Sequence, residues 1–194
     1  MQVILDMQGS DKRFKTGNNR SENMCAQDEE MEDVETLIGL IGNDDMTIRQ
    51  RARRALVEIG APAIGHLGRA LKGFSTKEIR WEAVMALGTI NHPEVIKHLV
   101  MELEDIFPDT AWAAAEGLKK FKKLAWPILL KMLVERGENS PLLRQGVYHV
   151  LTNQKDPEFD ELLQALLKDL ETSTAPDLKL SAAGDILKKM KLQN

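Results

Sequence analysis

The feature of this 194-residue sequence that most restricts its fold is an internal repeat of 31 residues. Apolar residues recur at that interval in three sets, which are Ala52, Ala83 and Ala114, then Leu56, Leu87 and Leu118, and then Ile59, Ile90 and Phe121. After a step of 33 residues, Val147 and Leu151 continue the first two sets. A unit this short cannot bury an apolar face by itself, so the sequence predicts that successive units stack around one continuous core.

Each repeat unit is predicted to contain two helices. Within a unit the recurring residues are four and then three positions apart, which places them on one stripe of a helix. An amphipathic segment precedes each stripe, at about residues 32–42, 62–72, 93–105, 124–136 and 157–171. The pattern therefore predicts five helical hairpins. In the fifth, two registers fit the buried stripe, one with Ala183, Leu187 and Met190 and one with Ala182 and Ile186.

The prolines support these helix boundaries, because proline is tolerated in the first turn of a helix and disrupts its interior. All seven lie at predicted helix starts: Pro62, Pro93, Pro127 and Pro157 begin first helices, and Pro108, Pro141 and Pro176 begin second helices. Aromatic residues make up only 5% of the chain and charged residues 29%, a balance that favours a helical protein over a β-sandwich. The predicted fold class is all-α.

The chain is predicted to divide into a tail and a stack of repeats. Residues 1–30 are polar and have no apolar period, so we expect a disordered N-terminal tail. Residues 31–194 are predicted to form the stack, with repeats at about 32–60, 61–91, 92–122, 123–155 and 156–192. The single cysteine, Cys25, fits a reducing compartment, and no N-terminal apolar run is long enough for a signal peptide or membrane span. We therefore expect a cytoplasmic protein.

A short motif marks the start of second helices. In three units a helix-capping side chain and an arginine lie four positions apart, as Asp45 and Arg49, Thr76 and Arg80, and Ser140 and Arg144. This motif resembles the signature of HEAT repeats, in particular the short HEAT-like repeats of the phycobilisome-lyase type. The third unit departs from it, with Phe107 and Ala111 at the two positions. The resemblance covers about residues 32–192 and implies a right-handed α-solenoid, with second helices on the concave face and first helices on the convex face.

The concave groove is the expected binding surface. A rotation of 100° per residue puts Gln50, Arg53 and Arg54 opposite the buried stripe, and the repeat period carries these positions into the other units. The predicted groove residues are Trp81, Trp112, Val84, Met85, Tyr148, Arg53, Arg54, Glu116 and His149. The aromatic and apolar members form a strip of the kind that marks interfaces. In the alternative interpretation, Trp81 and Trp112 fold onto neighbouring second helices and contribute to packing between repeats.

The remaining charged patterns give weaker functional predictions. A basic cluster lies near the second helix of the first unit and consists of Arg49, Arg51, Arg53, Arg54, Arg69 and Lys72. It could bind phosphate or an acidic peptide, or it could form a solvated face. Lys119, Lys120, Lys122 and Lys123 lie at a predicted helix C-terminus, where cations are favoured, and no ligand is assigned to them. The four histidines lack metal-ligand spacing, and no nucleotide-binding or nucleophile motif is present. We expect no cofactor, metal or catalytic residue.

Three functional hypotheses follow from the residues and the resemblance. The first is a non-catalytic protein–protein interaction scaffold that binds a protein segment in the concave groove. The resemblance to bilin lyase subunits implies a second, in which the aromatic groove holds a tetrapyrrole and its acceptor protein. HEAT-like alkylpurine glycosylases imply a third, DNA binding, which the net charge of −4 disfavours because few phosphates would be neutralised.

Overall fold

The computed structural model describes residues 33–72, 75–172 and 180–192. The expected disordered tail, residues 1–30, lies outside these ranges. Within them the chain forms ten α-helices and no β-strand, which confirms the all-α prediction. The helices are α1 (Val34–Leu40), α2 (Met46–Ile59), α3 (Ala61–Ala70), α4 (Lys77–Thr89), α5 (Val95–Met101), α6 (Pro108–Lys119), α7 (Trp126–Arg136), α8 (Pro141–Leu151), α9 (Asp160–Thr172) and α10 (Ser181–Lys191). No helix in the described ranges has both the length and the apolar character that a bilayer span requires.

The helices pair into hairpins that stack as a helical solenoid. The second helices α2, α4, α6 and α8 form a row in which each packs against the next, and we call this the second-helix row. On the other side, α1 packs against α3 and α5 packs against α7. The first two predicted sets of stripe residues are fully buried between these layers, namely Ala52, Leu56, Ala83, Leu87, Ala114 and Leu118, and in the third set Ile90 and Phe121 are buried and Ile59 is partly buried. The 31-residue period therefore identifies the core correctly.

Two glycines allow α4 and α6 to approach each other. A β-carbon on Gly117 would lie 2.9 Å from the Cα of Gly88, and one on Gly88 would lie 3.5 Å from the Cα of Gly117. Because the first distance is shorter than real β-carbon contacts, Gly117 has to lack a side chain for this helix pair to pack as it does.

The fifth hairpin has its two helices in the opposite order. Here α9 packs against α8 and extends the second-helix row, while α10 packs against α7. The resemblance implied that the second helix of each unit joins the row, and for this unit that expectation is wrong. The buried face of α10 includes the small Ala182 and Ala183, which permit close packing on α7, whereas α9 buries the larger Leu163 and Leu166.

The register of α10 combines the two that the sequence allowed. Ala182 and Ile186 are buried together with Ala183, while Leu187 and Met190 are only partly buried. The predicted start of this helix at Pro176 lies outside the described residues, and the helix is described from Ser181 onward.

Side-chain caps and prolines begin most of the helices. Asp45 accepts a hydrogen bond from the backbone N–H of Thr47 at 2.7 Å, and Thr76 and Ser140 cap α4 and α8 in the same way. Four prolines occupy the first or second helical position, namely Pro62, Pro108, Pro127 and Pro141. Pro93 and Pro157 instead lie in the turns before α5 and α9.

Arginines at one repeat position tie each second helix to the chain before it. Arg49, Arg80 and Arg144 donate from Nη1 to backbone carbonyls, which are those of Asn43 and Asp44, of Leu71, and of Gly137 and Glu138 respectively. These carbonyls lie at or just after the end of the preceding helical segment, where helical partners are missing, and a charged donor satisfies them. The third unit has Ala111 at this position, so α6 lacks this contact.

A buried ionic cluster connects the second and third repeats. Nη2 of Arg80 lies 2.5 Å from Oε2 of Glu102 and 2.5 Å from Oδ2 of Asp105, whose side chain is fully buried. The other oxygen of Asp105 accepts from the backbone N–H of Phe107 at 2.8 Å, next to the start of α6, where Phe107 itself offers no cap. Burial and the hydrogen bond with Asp105 raise the pKa of Glu102 to about 7, although Arg80 opposes them.

We expect Leu87→Ala and Leu118→Ala each to lower the free energy of unfolding by roughly 2–5 kcal/mol, because each leaves a cavity in the core. The matched control is Leu124→Ala, since Leu124 is 56% exposed and should cost less than about 1 kcal/mol. Urea denaturation followed by circular dichroism measures all three. Equal effects at buried and exposed leucines would contradict the helical phase.

The raised pKa of Glu102 makes stability depend on pH. Between its unfolded pKa near 4.5 and its folded pKa of about 7, the folded protein binds more protons at this site than the unfolded chain. This contribution to the free energy of unfolding is therefore full below pH 4.5 and lost as the pH rises through 7.

Glu102→Gln should remove that dependence, because glutamine stays uncharged. As the pH rises from 5 to 8, the unfolding free energy of the variant should therefore increase relative to that of wild type by roughly 1–3 kcal/mol. Urea denaturation at the two pH values measures the difference. A variant whose stability runs parallel to wild type across this range would show that Glu102 is ionised throughout.

Candidate binding groove between the third and fourth repeats

A cavity of about 470 Å³ lies along the second-helix row between α6 and α8. Its walls are largely aromatic and apolar, with Trp112 and Ala115 on α6 and Leu142, Tyr148 and His149 on α8. Trp112 is 57% exposed and Leu142 is 48% exposed, so the rim presents apolar surface to solvent. We call this cavity the Trp112 groove.

The Trp112 groove opens where the repeat pattern is broken. Ala111 lines it at the position where the neighbouring repeats carry Arg80 and Arg144, so a long side chain is missing there. Gly146 lines it from α8, and a β-carbon on Gly146 would lie 3.0 Å from the β-carbon of Leu103. Ala111 therefore leaves room between two helices that the repeat packing holds in place, whereas Gly146 allows α8 to approach Leu103 closely.

The two groove tryptophans have different surroundings. Trp81 is half-buried against the core and lines a separate depression of about 270 Å³, together with Arg49, Lys77 and Asp109. Trp112 is mainly exposed, and its ring centroid is 6.2 Å from that of His149. The interpretation in which the tryptophans pack between repeats therefore fits Trp81, whereas the exposed side chain of Trp112 is available to a ligand.

The predicted apolar strip is shorter than the sequence suggested. Val84 is fully buried, so its placement on the groove surface is wrong, and the equivalent Ala115 is 1% exposed. Both residues lie on the sides of second helices, where each helix packs on its neighbour in the row. Met85 is half-buried and does not line the Trp112 groove.

A three-residue polar cluster borders the groove beside Trp112. Oε1 of Glu116 accepts a hydrogen bond from Nζ of Lys119 at 2.7 Å and lies 2.6 Å from Nε2 of His149. Nζ of Lys119 is 3.0 Å from the same ring nitrogen. The hydrogen bond from Lys119, and to a smaller extent that with His149, lowers the pKa of Glu116. Glu116 is thus held ionised between two nitrogen groups, which fixes the orientation of the His149 ring.

The predicted arginines lie away from the Trp112 groove. Arg53 pairs with the buried Glu82 at 2.7 Å, and Arg49 lies 3.7 Å from the same carboxylate. Arg69 lies 3.5 Å from Glu35, and Arg54 is exposed on α2. Three of the six residues of this cluster thus contact carboxylates or backbone carbonyls, which favours its interpretation as a structural and solvated face.

Nine of the twelve residues that line the groove are absent from the predicted set, among them Leu142, Asp109 and Gly146. The available signal was the departure at Phe107 and Ala111, which marks the unit where a side chain is missing. The spacing alone did not indicate whether the missing side chain would leave a cavity or allow α6 and α8 to pack more closely.

In a comparison with protein families, residues 34–119 match a family described as HEAT repeats. This match covers the first three hairpins and includes Trp112, while the α8 wall of the groove lies beyond it. It identifies HEAT repeats in general and not a particular type. Neither the comparison with curated proteins nor that with solved structures gives a match.

The difference in exposure between the tryptophans predicts their response to a soluble quencher. Trp112 is 57% exposed and Trp126 is 1% exposed, so acrylamide should reach the first and not the second. Trp112→Phe should therefore remove most of the quenchable emission, whereas Trp126→Phe, the matched control, should leave the quenchable emission intact. Stern–Volmer analysis of the two variants measures this, and equal loss in both would contradict the placement of Trp112.

Proposed function

We propose that this protein is a non-catalytic interaction scaffold that holds a segment of a partner protein along the second-helix row. The observation that carries the proposal is Trp112, a large aromatic side chain exposed on the rim of an apolar cavity. HEAT repeats generally act as scaffolds for protein interactions, and residues 34–119 match that family. A partner side chain seated in the Trp112 groove would be the main anchor.

The size and composition of the Trp112 groove support a side chain as the ligand. A volume of about 470 Å³ suits a few buried groups and not a folded surface. Exposed tryptophan and tyrosine at the edge of a pocket are the residues that most often dominate binding energy, because they bury much apolar area with little loss of rotamer freedom. Trp112 has this placement, and Tyr148 lines the same pocket with its side chain partly buried.

The polar residues at the rim suit the backbone of an extended segment. Gln145 and Asp109 line the groove beside its apolar walls, and both are exposed. The amide of Gln145 can donate to and accept from the peptide groups of a bound chain, and the carboxylate of Asp109 can accept from its N–H groups, which would fix the direction of the chain. These contacts would add specificity, while the apolar anchor would supply affinity.

The two alternative functions have less support. Aromatic walls would also suit a tetrapyrrole, as in the bilin lyase-like alternative, but the match to HEAT repeats does not favour that type. Duplex DNA would need many free basic groups along the row, whereas Arg49 and Arg53 lie against Glu82. We therefore retain the protein-segment scaffold as the proposal.

Selection of random peptides displayed on phage against the purified protein tests this function. Selected peptides should share an apolar residue, and Trp112→Ala should weaken their binding by about tenfold or more, the effect of losing an aromatic hot spot. The matched control is Leu124→Ala, which removes an exposed apolar side chain that does not line the groove. Peptides that bind wild type and Trp112→Ala equally well would overturn the proposed anchor.

A further inference from the structure

A second cavity of about 470 Å³ lies at the turns that leave α6 and α8. Lysines dominate its lining, which includes Lys119, Lys122, Lys123 and Lys155 together with Thr152 and Asn153. We call it the lysine pocket. It shares no lining residue with the Trp112 groove.

The lysine pocket is basic in a protein whose net charge is −4. Four lysines line it, and the single carboxylate in its lining is that of Asp156. Lys119 is engaged with Glu116 at 2.7 Å, and Lys123 lies 3.3 Å from Asp156. In the part of the chain that the structure describes, Lys122 and Lys155 form no ion pair, so the pocket holds two uncompensated ammonium groups.

The backbone at Lys122 is strained in a way that favours a different residue. Lys122 has φ 47°, and Asn153, also in the pocket, has φ 67°. The position two repeats before Lys122 is Gly60, which also has a positive φ, 72° with ψ −127°, and tolerates it because glycine has no β-carbon. A lysine at this position is strained because its β-carbon crowds the backbone. Such strain is typical of sites where the side chain has a function.

The same turn adds no complete backbone site for an anion. Phe121 is right-handed, with φ −81° and ψ −10°, and Lys122 has a positive φ. The N–H of Phe121 already donates to the carbonyl oxygen of Leu118 at 3.0 Å. The lysine side chains are therefore the groups in the pocket that are suited to a compact, multiply charged anion.

We propose that the lysine pocket binds a phosphate group. The ammonium groups of Lys122 and Lys155 would contact its oxygens, and Lys119 and Lys123 would add to the local potential. A phosphate monoester carries nearly two negative charges near neutral pH and three acceptor oxygens, so it compensates more ammonium charge than one carboxylate does. This site is independent of the Trp112 groove and of the function proposed for that groove.

Isothermal titration calorimetry with the full-length protein tests the site with two phosphate sources. One is sodium pyrophosphate, and the other is a phosphoserine peptide, compared with the same peptide carrying aspartate. Binding of pyrophosphate alone would identify a free anion as the ligand, and binding of the phosphopeptide would identify a phosphorylated chain. The proposal is overturned if neither binds, or if the aspartate peptide binds as tightly as the phosphopeptide.

Variants then locate the binding. Lys122→Gln combined with Lys155→Gln should weaken phosphate binding by about tenfold or more. Lys122→Gly should also weaken it while the chain stays folded, because glycine adopts the left-handed backbone without strain. The matched control is Lys131→Gln, since Lys131 has a 72% exposed side chain outside the pocket. A control that weakens binding as much as the pocket variants would show non-specific attraction and overturn the proposal, whereas Trp112→Ala should have no effect.

Discussion

Contact between second helices is the constraint on which the rest of this structure depends. A two-helix unit exposes its apolar stripe until the next unit covers it, so stability arises from the contacts between repeats. These contacts bury Ala83 and Ala114 completely and bring the backbones of Gly88 and Gly117 together. Each second helix is therefore held in place by its neighbours in the row.

The Trp112 groove follows from that rigidity. Where Arg49, Arg80 and Arg144 tie their helices to preceding carbonyls, the third repeat has Ala111, and the space is left open between fixed helices. The acidic partner of Arg80, Asp105, takes over the helix-capping role that Phe107 lacks. A break in the repeat is thus compensated structurally while it creates a concave apolar surface.

One side chain, that of Lys119, connects the lysine pocket with the edge of the Trp112 groove. Lys119 lines the lysine pocket and also donates to Glu116, which contacts His149 at the edge of the Trp112 groove. Both cavities lie where α6 and α8 meet, one on the exposed face of the helices and the other at their C-terminal turns. A partner segment in the groove and a phosphate in the pocket would therefore be bound by the same pair of repeats.

Spacing within a helix and local backbone chemistry were enough to predict the helical hairpins, the buried stripe and the capped helix starts from the sequence. They also located the irregular unit at Phe107 and Ala111. Which side of a second helix is exposed to solvent depends instead on packing along the second-helix row, because Val84 and Trp112 both lie off the stripe and this packing buries only Val84. The reversed order of α9 and α10, and the meeting of Lys122 with Lys155, were likewise decided by contacts between elements, which a one-dimensional period does not encode.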